Sequence, residues 1–374
     1  MPGARKFWIS CVLLILVGFT FRFALVRNLK IEETDDGKVY SQLASNLLTQ
    51  KRYSHAPEYP YGPSLIRMPG YPIFIAGVYW LFGESNDAMV HLVQAIFDTL
   101  TCALIALIAF YWQPDASRKR ATAIGALALA ALCPFTAIYS ATVLTETLTI
   151  FLIILMCLAA TRAFSSSTTG RAIRLWFITG LIAGAAVLFR PDSALFAAAV
   201  AITLVGEILR RRNTESFEGE EPLRISLRTR SLRAAMLGAV FAFALCLMLV
   251  PWTIRNRRVF HVFQPLAPRH AKMPGEFVPY GYFAWLRTWM QDQRYLGPAL
   301  LKLDQAPIDV DEIPDEAFDS LEEKTEVAAL FDQYSYPAGD PATTAFSGLA
   351  SELPENSAPA EAPPRKPGHE EFDL

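Results

Sequence analysis

A chain of 374 residues with 52% hydrophobic side chains and a mean hydropathy of +0.26 does not read as two or three soluble domains, because its apolar residues fall in long blocks. The formal net charge of -2 sums over segments that a bilayer would separate, so only its distribution is informative. The five cysteines (Cys11, Cys102, Cys133, Cys157 and Cys246) all lie inside apolar runs and show no CxxC or Cys/His spacing, so they read as packing residues and not as a metal site.

The N-terminus, MPGARKFWISCVLLILVGF, starts with the basic residues of a signal peptide. Its apolar run is long, lacks a small-x-small exit and precedes further spans, so residues 1–27 read as a signal anchor. Residues 28–87 form a long connection in three parts. Val39, Leu43 and Leu47 recur at helical spacing and predict an amphipathic interfacial helix. The stretch HAPEYPYGPSLIRMPGYP is broken by prolines and reads as irregular. Ile73–Gly83 is apolar but too short to span, which suits a helix lying in or dipping into the interface.

Residues 88–252 hold the remaining spans: Ala88–Trp112, Ala121–Ser140, Val143–Ala163, Ile173–Phe189, Ser193–Leu209 and Leu232–Trp252. With Trp8–Val26 they make about seven, each about 17–25 residues, enough to cross roughly 30 Å of hydrocarbon. The fold class expected is an all-α polytopic membrane protein. Residues 253–336 read as an extracytoplasmic segment in which YGYFAWLRTWMQDQRYL is either an interfacial aromatic helix or part of a small fold. Residues 337–374 are rich in Pro, Ala and Glu and read as disordered.

Basic residues orient the threading. Arg5 and Lys6 precede the first span, Arg118, Lys119 and Arg120 join the second to the third, and Arg162, Arg171 and Arg174 join the fourth to the fifth. The stretch RRRNTESFEGEEPLRISLRTRSLR joins the sixth to the seventh. These alternate as cytoplasmic loops should and place the N-terminus in the cytoplasm. The opposite face then collects Asp35, Asp36, Glu146, Arg190, Asp192, Arg255 and Asn256, charges from distant parts of the chain that point to a shared polar site.

Asp35 and Asp36 are adjacent carboxylates beside a low-dielectric surface, where a like-charged neighbour raises the pKa of one and makes it a proton acceptor. In a helix Asp36 and Tyr40 share a face. The alternative is a solvated acidic loop. Glu146 opens a span beside Thr hydroxyls, either as a site residue or as a charge favoured by the helix dipole. Arg190 and Arg255 either snorkel to headgroups or fork onto a phosphate. His91, Gln94 and Asp98 form one helical stripe facing the bundle, with Asp98 deep enough to need a partner and not read as catalytic. The DVD at Asp309–Asp311 has the form of a nucleotide-sugar metal motif but lacks an alternating strand–helix context and is discounted. No GxxxxGK, HExxH or GxSxG occurs, so NTP hydrolysis, zinc proteolysis and serine-hydrolase chemistry lack motif support.

Several stretches in order (TDDGKVYSQLASNLL, RMPGYPIFIAGVYWLFG, VHLVQAIFDTLTC, YSATVLTETLTIFL, LFRPDSALF and PWTIRNRRVFHVFQPL) resemble the GT-C superfamily of membrane glycosyltransferases. The resemblance covers roughly Trp8 to Leu266 and is to the bacterial family grouped with protein O-mannosyltransferases and the aminoarabinose transferase of lipid A. It implies inverting transfer of a sugar from a polyprenyl-phosphate donor to a protein, lipid or glycan acceptor at the extracytoplasmic face, among membrane lipids and without nucleic acid. By its spacing to Tyr40, Asp36 maps onto the family's catalytic base, with Asp35 beside it. Arg67, Arg190 and Arg255 are the cations for the departing phosphate. Glu146 would position the acceptor or share a divalent cation, Mg or Mn, with Asp36. Tyr40, His91 and Gln94 complete the substrate-binding set. A bacterial inner membrane is the implied location.

The chain ends sooner than the resemblance implies, which raises a truncated product with an incomplete acceptor site. A lipid or polysaccharide translocator and an inactive truncated scaffold are the competing readings. Inverted halves with broken helices would favour transport, and the sequence has no such symmetry.

Overall fold

The computed structural model describes residues 2–29, 34–210, 227–268, 280–301 and 308–334. All regular structure among them is helical. The chain divides into two units, the larger comprising Met1–His55 with Leu65–Ala267 and the smaller comprising Ala56–Ser64 with Pro268–Leu374.

In the larger unit α1 (Pro2–Asn28) is apolar nearly all round, and Trp8, Val12, Leu13 and Leu16 are exposed on it, as expected of side chains facing lipid. The helix α2 (Asp35–Thr49) is started by Thr34, whose Oγ1 accepts a 3.0 Å bond from Gly37 N, and Asp35 and Asp36 occupy its first turn, where the helix dipole favours negative charge. Its apolar face, including Leu43, Ala44 and Leu47, packs on α3 (Gly70–Phe82) through Tyr71, Ile75 and Ala76. Both stretches expected to be helical are helices, α3 beginning three residues earlier than expected, at Gly70.

A glycine at that point is a spatial requirement. A Cβ on residue 70 would lie 2.6 Å from Phe189 Cδ2 and 2.7 Å from Leu188 O. The start of α3 therefore meets the end of a distant helix (Thr169–Phe189) directly, with no room for a side chain at residue 70.

Among the described residues five helices are long and apolar enough to cross a membrane, six if one bent pair counts as a span, where the sequence reading expected about seven. The clear spans are α1, α4 (Asp87–Trp112), α7 (Glu146–Phe164), α8 (Thr169–Phe189) and α10 (Leu227–Phe260). The bent pair is α5 (Lys119–Ala131) followed by α6 (Pro134–Ala137) and a tight 3-10 turn over Ile138–Ala141, with a 49° bend. Pro134 causes the break. The residue before a proline is pushed out of the helical region, and Cys133 sits at φ -70, ψ 113. The expected span Ser193–Leu209 falls in α9 (Ser193–Arg210), whose apolar part is a shorter helix. The last helix of the bundle, α10, extends past the expected span end at Trp252 and runs through Pro251 to Phe260.

The bundle core joins α7, α8, α9 and α10 around Met156, Trp176, Leu204 and Phe241. On its other side α1, α4 and α5 enclose a buried ion pair. Arg22 Nε donates to Asp98 Oδ2 at 2.7 Å, and Nη1 donates to Ala131 O at 2.8 Å and Gly18 O at 3.1 Å. Nη2 reaches Cys102 Sγ at 3.2 Å and Ala130 O at 3.3 Å. The guanidinium thus satisfies Asp98 and also caps Ala131 O at the end of α5, beside Ala130 O, which Cys133 N reaches at 3.3 Å. Asp98 has the partner its depth demands, from a helix 76 residues away that the sequence reading treated as uniformly apolar.

The smaller unit packs α11 (Tyr280–Trp289) and α12 (Leu321–Tyr334) around Tyr282, Leu286, Ala299, Ile313 and Phe331. The aromatic stretch is helical over α11, and its Tyr282 and Leu286 are buried in this unit's core. Asp309 accepts from Asp311 N at 2.9 Å to start a short turn, and Asp311 pairs with Lys324 at 3.6 Å, a structural use of the discounted DVD. The Pro/Ala/Glu-rich residues 337–374 lie outside the described residues.

Candidate active site

The charged residues singled out from the sequence stand at one end of the bundle because helix ends put them there. Asp36 lies in the first turn of α2, Glu146 is the first residue of α7, Arg190 follows the last residue of α8, and Arg255 lies in the last turns of α10. Two ion pairs result. Arg67 Nη2 donates to Asp36 Oδ1, and Arg190 Nη1 donates to Glu146 Oε1 at 2.6 Å with Arg190 Nε 3.4 Å from Asp192 Oδ2.

Tyr40 links the pairs. Its phenol lies within electrostatic reach of Arg67, Asp36, Glu146 and Arg190, its ring stands edge-on to Tyr71 at 5.0 Å, and the Arg67 guanidinium lies 5.9 Å from its centroid. Burial raises the phenol pKa and Arg67 opposes the shift, so Tyr40 stays protonated at neutral pH. Burial also disfavours charge on Arg190, but the hydrogen bond and charge of Glu146 outweigh it and raise its pKa.

Arg67 belongs to the proline-broken loop, whose backbone is held from below. Tyr53 Oη donates toward Arg67 O at 3.0 Å and Met68 O at 3.1 Å, and Asn46 Nδ2 donates to Ser54 O at 2.9 Å. Tyr53 also bridges to Arg255, whose guanidinium lies 5.4 Å from its ring, 4.9 Å from Trp252 and 5.1 Å from Phe260. Arg255 is thus reached through Tyr53 and is not part of either ion pair, and its Nη1 donates to Asn256 Oδ1 at 3.0 Å. His55, half-buried near Arg67, has a lowered pKa, from burial first and the Arg67 charge second.

Gln94 has a structural use. It is fully buried, its Oε1 accepts from Tyr71 Oη at 2.6 Å, and its Nε2 donates to Thr142 O at 2.7 Å. It therefore ties α3 to the turn after the broken span, and its polar atoms face protein groups. His91, one turn earlier on α4, is half-buried with no hydrogen-bond partner for Nε2 among the described residues. The side chain of Asp35 lies outside the described residues. Thr147 Oγ1 and Ser193 Oγ are buried without a hydrogen-bond partner among the described residues, next in sequence to Glu146 and Asp192.

Tyr53, His55 and Tyr71 were missed by sequence reasoning. Tyr71 had a signal, its place in RMPGYP, whereas Tyr53 and His55 sit in a polar loop with no period to reveal them.

No group of three or more His, Cys, Asp or Glu side chains arranged to hold a metal occurs among the described residues. Asp36 and Glu146, the two carboxylates expected to share a divalent ion, each face an arginine instead. This donor set does not fit an Mg or Mn site, since a hard cation needs several converging oxygens.

What the arrangement offers is carboxylate oxygens beside guanidinium forks at an open face. The Asp36 side chain is 56% exposed and so within reach of a bound molecule. A phosphate would compete directly with the carboxylates for Arg67 and Arg190, because both anions use the same forked geometry.

Residues 63–218 match the family model described as dolichyl-phosphate-mannose-protein mannosyltransferase. That stretch contains Arg67, Gly70, Tyr71, His91, Gln94, Glu146 and Arg190, and excludes Asp36, Tyr40, Tyr53 and Arg255. No curated protein and no solved structure matches the chain. The match over residues 63–218 in an integral-membrane chain of apolar helices supports a membrane glycosyltransferase of the GT-C kind.

Proposed function

We propose that the protein transfers a sugar from a polyprenyl-phosphate carrier to an acceptor hydroxyl, with inversion, using Asp36 as general base. The observation that carries this reading is the gathering of the Asp36–Arg67 and Glu146–Arg190 pairs around Tyr40. The donor phosphate docks on Arg67 and Arg190 and draws them away from the carboxylates, which frees Asp36 to accept a proton. The acceptor oxygen then bonds to the anomeric carbon as the bond from that carbon to the phosphate oxygen breaks. Asp36 takes the acceptor proton, and the polyprenyl phosphate leaves with its negative charge held by the arginines. Arg255, in its aromatic cage beside Tyr53, supplies further positive potential for the carrier.

The description of the matched family supports mannose as the first sugar to try and a protein as the first acceptor. The basic residues at the opposite helix ends support a cytoplasmic N-terminus and an outward-facing site, and the resemblance to the bacterial family supports an inner membrane as its location. The competing translocator makes no bond. The test is release of the lipid phosphate from dolichyl-phosphate-mannose by the purified chain with a hydroxyl-bearing peptide present. Wild type should release it, and Asp36→Asn should be slower by about 10²–10⁴-fold. Equal release by both, or none from any polyprenyl-phosphate sugar, refutes the proposal.

A further inference from the structure

At the end of the bundle away from the paired charges, the surfaces of α8 and α10 form a groove of about 710 Å³ lined by Phe177, Ile178, Met236, Ala239 and Phe243, with Arg174 at its rim. The two helices touch backbone to backbone further along, at Gly180 and Gly184, where a Cβ would lie 2.3 Å from Phe241 O and 2.6 Å from Leu245 O respectively. On the N-terminal side of that contact Trp176 and Phe241 close the inner side of the pair, their rings 6.1 Å apart, and the groove lies on the outer side.

Charge marks the same place. Arg171 lies three residues before Arg174, and Arg233 three before Met236, so each falls on the face that borders the groove. All three arginines are exposed, and none makes an ion pair or hydrogen bond among the described residues. Groove residues Ile178 and Arg174 precede Arg190 by 12 and 16 positions on or next to α8, about 18–24 Å along the helix axis at 1.5 Å per residue. The groove is therefore separate from the candidate active site.

We infer that this groove binds an anionic phospholipid, with an acyl chain between α8 and α10 and the headgroup phosphate on Arg174, flanked by Arg171 and Arg233. An apolar slot opening to the lipid-facing surface accepts a chain, and the triad of cations at its rim selects a headgroup carrying net negative charge over a zwitterionic one. Forked guanidinium bonds hold the phosphate oxygens.

The test is lipid binding to the full chain in detergent micelles, followed by native mass spectrometry with phosphatidylglycerol, phosphatidylcholine and polyprenyl phosphate added separately. Phosphatidylglycerol should bind at least fivefold more tightly than phosphatidylcholine. Arg174→Ala should weaken phosphatidylglycerol about fivefold and leave phosphatidylcholine unchanged, while Arg174→Lys keeps most of the preference. Ala239→Trp, placed at an exposed position facing the open groove, should weaken both. Equal affinity for the two phospholipids, or an unchanged affinity in Arg174→Ala, overturns the inference. Tighter Arg174-dependent binding of polyprenyl phosphate than of phosphatidylglycerol also overturns it and assigns the groove to the donor lipid. Because Arg174 is exposed and makes no bond among the described residues, its variants should keep the wild-type thermal midpoint, so the comparison decides even if Ala239→Trp is unstable.

Discussion

Replacing Arg22 with Met, Asp98 with Leu, or both, separates the roles of the buried pair. Each single change leaves a charge enclosed by apolar helices with its counter-ion removed, which destabilises by about 3–5 kcal/mol. If the two sites were independent the double variant would lose the sum, about 6–10 kcal/mol. They are not independent, since Arg22 Nε and Asp98 Oδ2 are 2.7 Å apart. With both charges gone the ionic penalty disappears. What remains is the loss of the donor to Ala131 O at the end of α5, about 1–3 kcal/mol for a buried acceptor left unsatisfied, since Ala130 O keeps its bond from Cys133 N at 3.3 Å. The double variant should therefore be no worse than either single one, with a coupling of about 3–5 kcal/mol. Equilibrium unfolding of the four proteins in mixed micelles, titrated with denaturing detergent, measures it. Additivity within about 0.5 kcal/mol would refute the assignment of this pair as the internal tie between α1, α4 and the broken span.

Gly70→Ala puts a methyl carbon 2.6 Å from Phe189 Cδ2 and should cost about 1–3 kcal/mol by overpacking, with a larger loss of transferase rate than of thermal midpoint because Arg67 and Arg190 flank the contact; wild-type rate and midpoint would count against it. Glu146→Gln removes the charge-assisted bond that aims Arg190 and should lower the rate about 10- to 100-fold while the chain remains folded, which circular dichroism and a rate assay decide together. His55 has a folded-state pKa below its unfolded value, so the unfolded chain takes up the proton first. Its contribution is fully present above the ordinary histidine value of about 6.5 and is lost as pH falls through the folded-state value. His55→Gln should flatten that part of the stability profile, and a profile identical to wild type would dismiss it.

Much of the fold was legible in local sequence. Hydropathy over about 20 residues located α1, α4, α7, α8 and α10, since crossing hydrocarbon requires an unbroken apolar helix and leaves a mark in any window of that length. The spacing of Val39, Leu43 and Leu47 announced α2, and the alternation of basic loops set Asp36, Glu146, Arg190 and Arg255 at one end. Hydropathy averages over a kink, however, so it gave Ala121–Ser140 as one span without revealing the 49° bend at Pro134, and it counted α9 as a full crossing. Only tertiary structure decided which charge meets which. The pairings Arg22–Asp98, Arg67–Asp36 and Arg190–Glu146 join residues 76, 31 and 44 positions apart, and no periodic signal encodes a contact of that separation. For the same reason Gln94 appeared as a ligand-facing polar residue until Tyr71 and Thr142 were found against it. A side chain's type follows from the gene, but whether its polar atoms remain free for a substrate depends on what the fold brings within 3 Å of them.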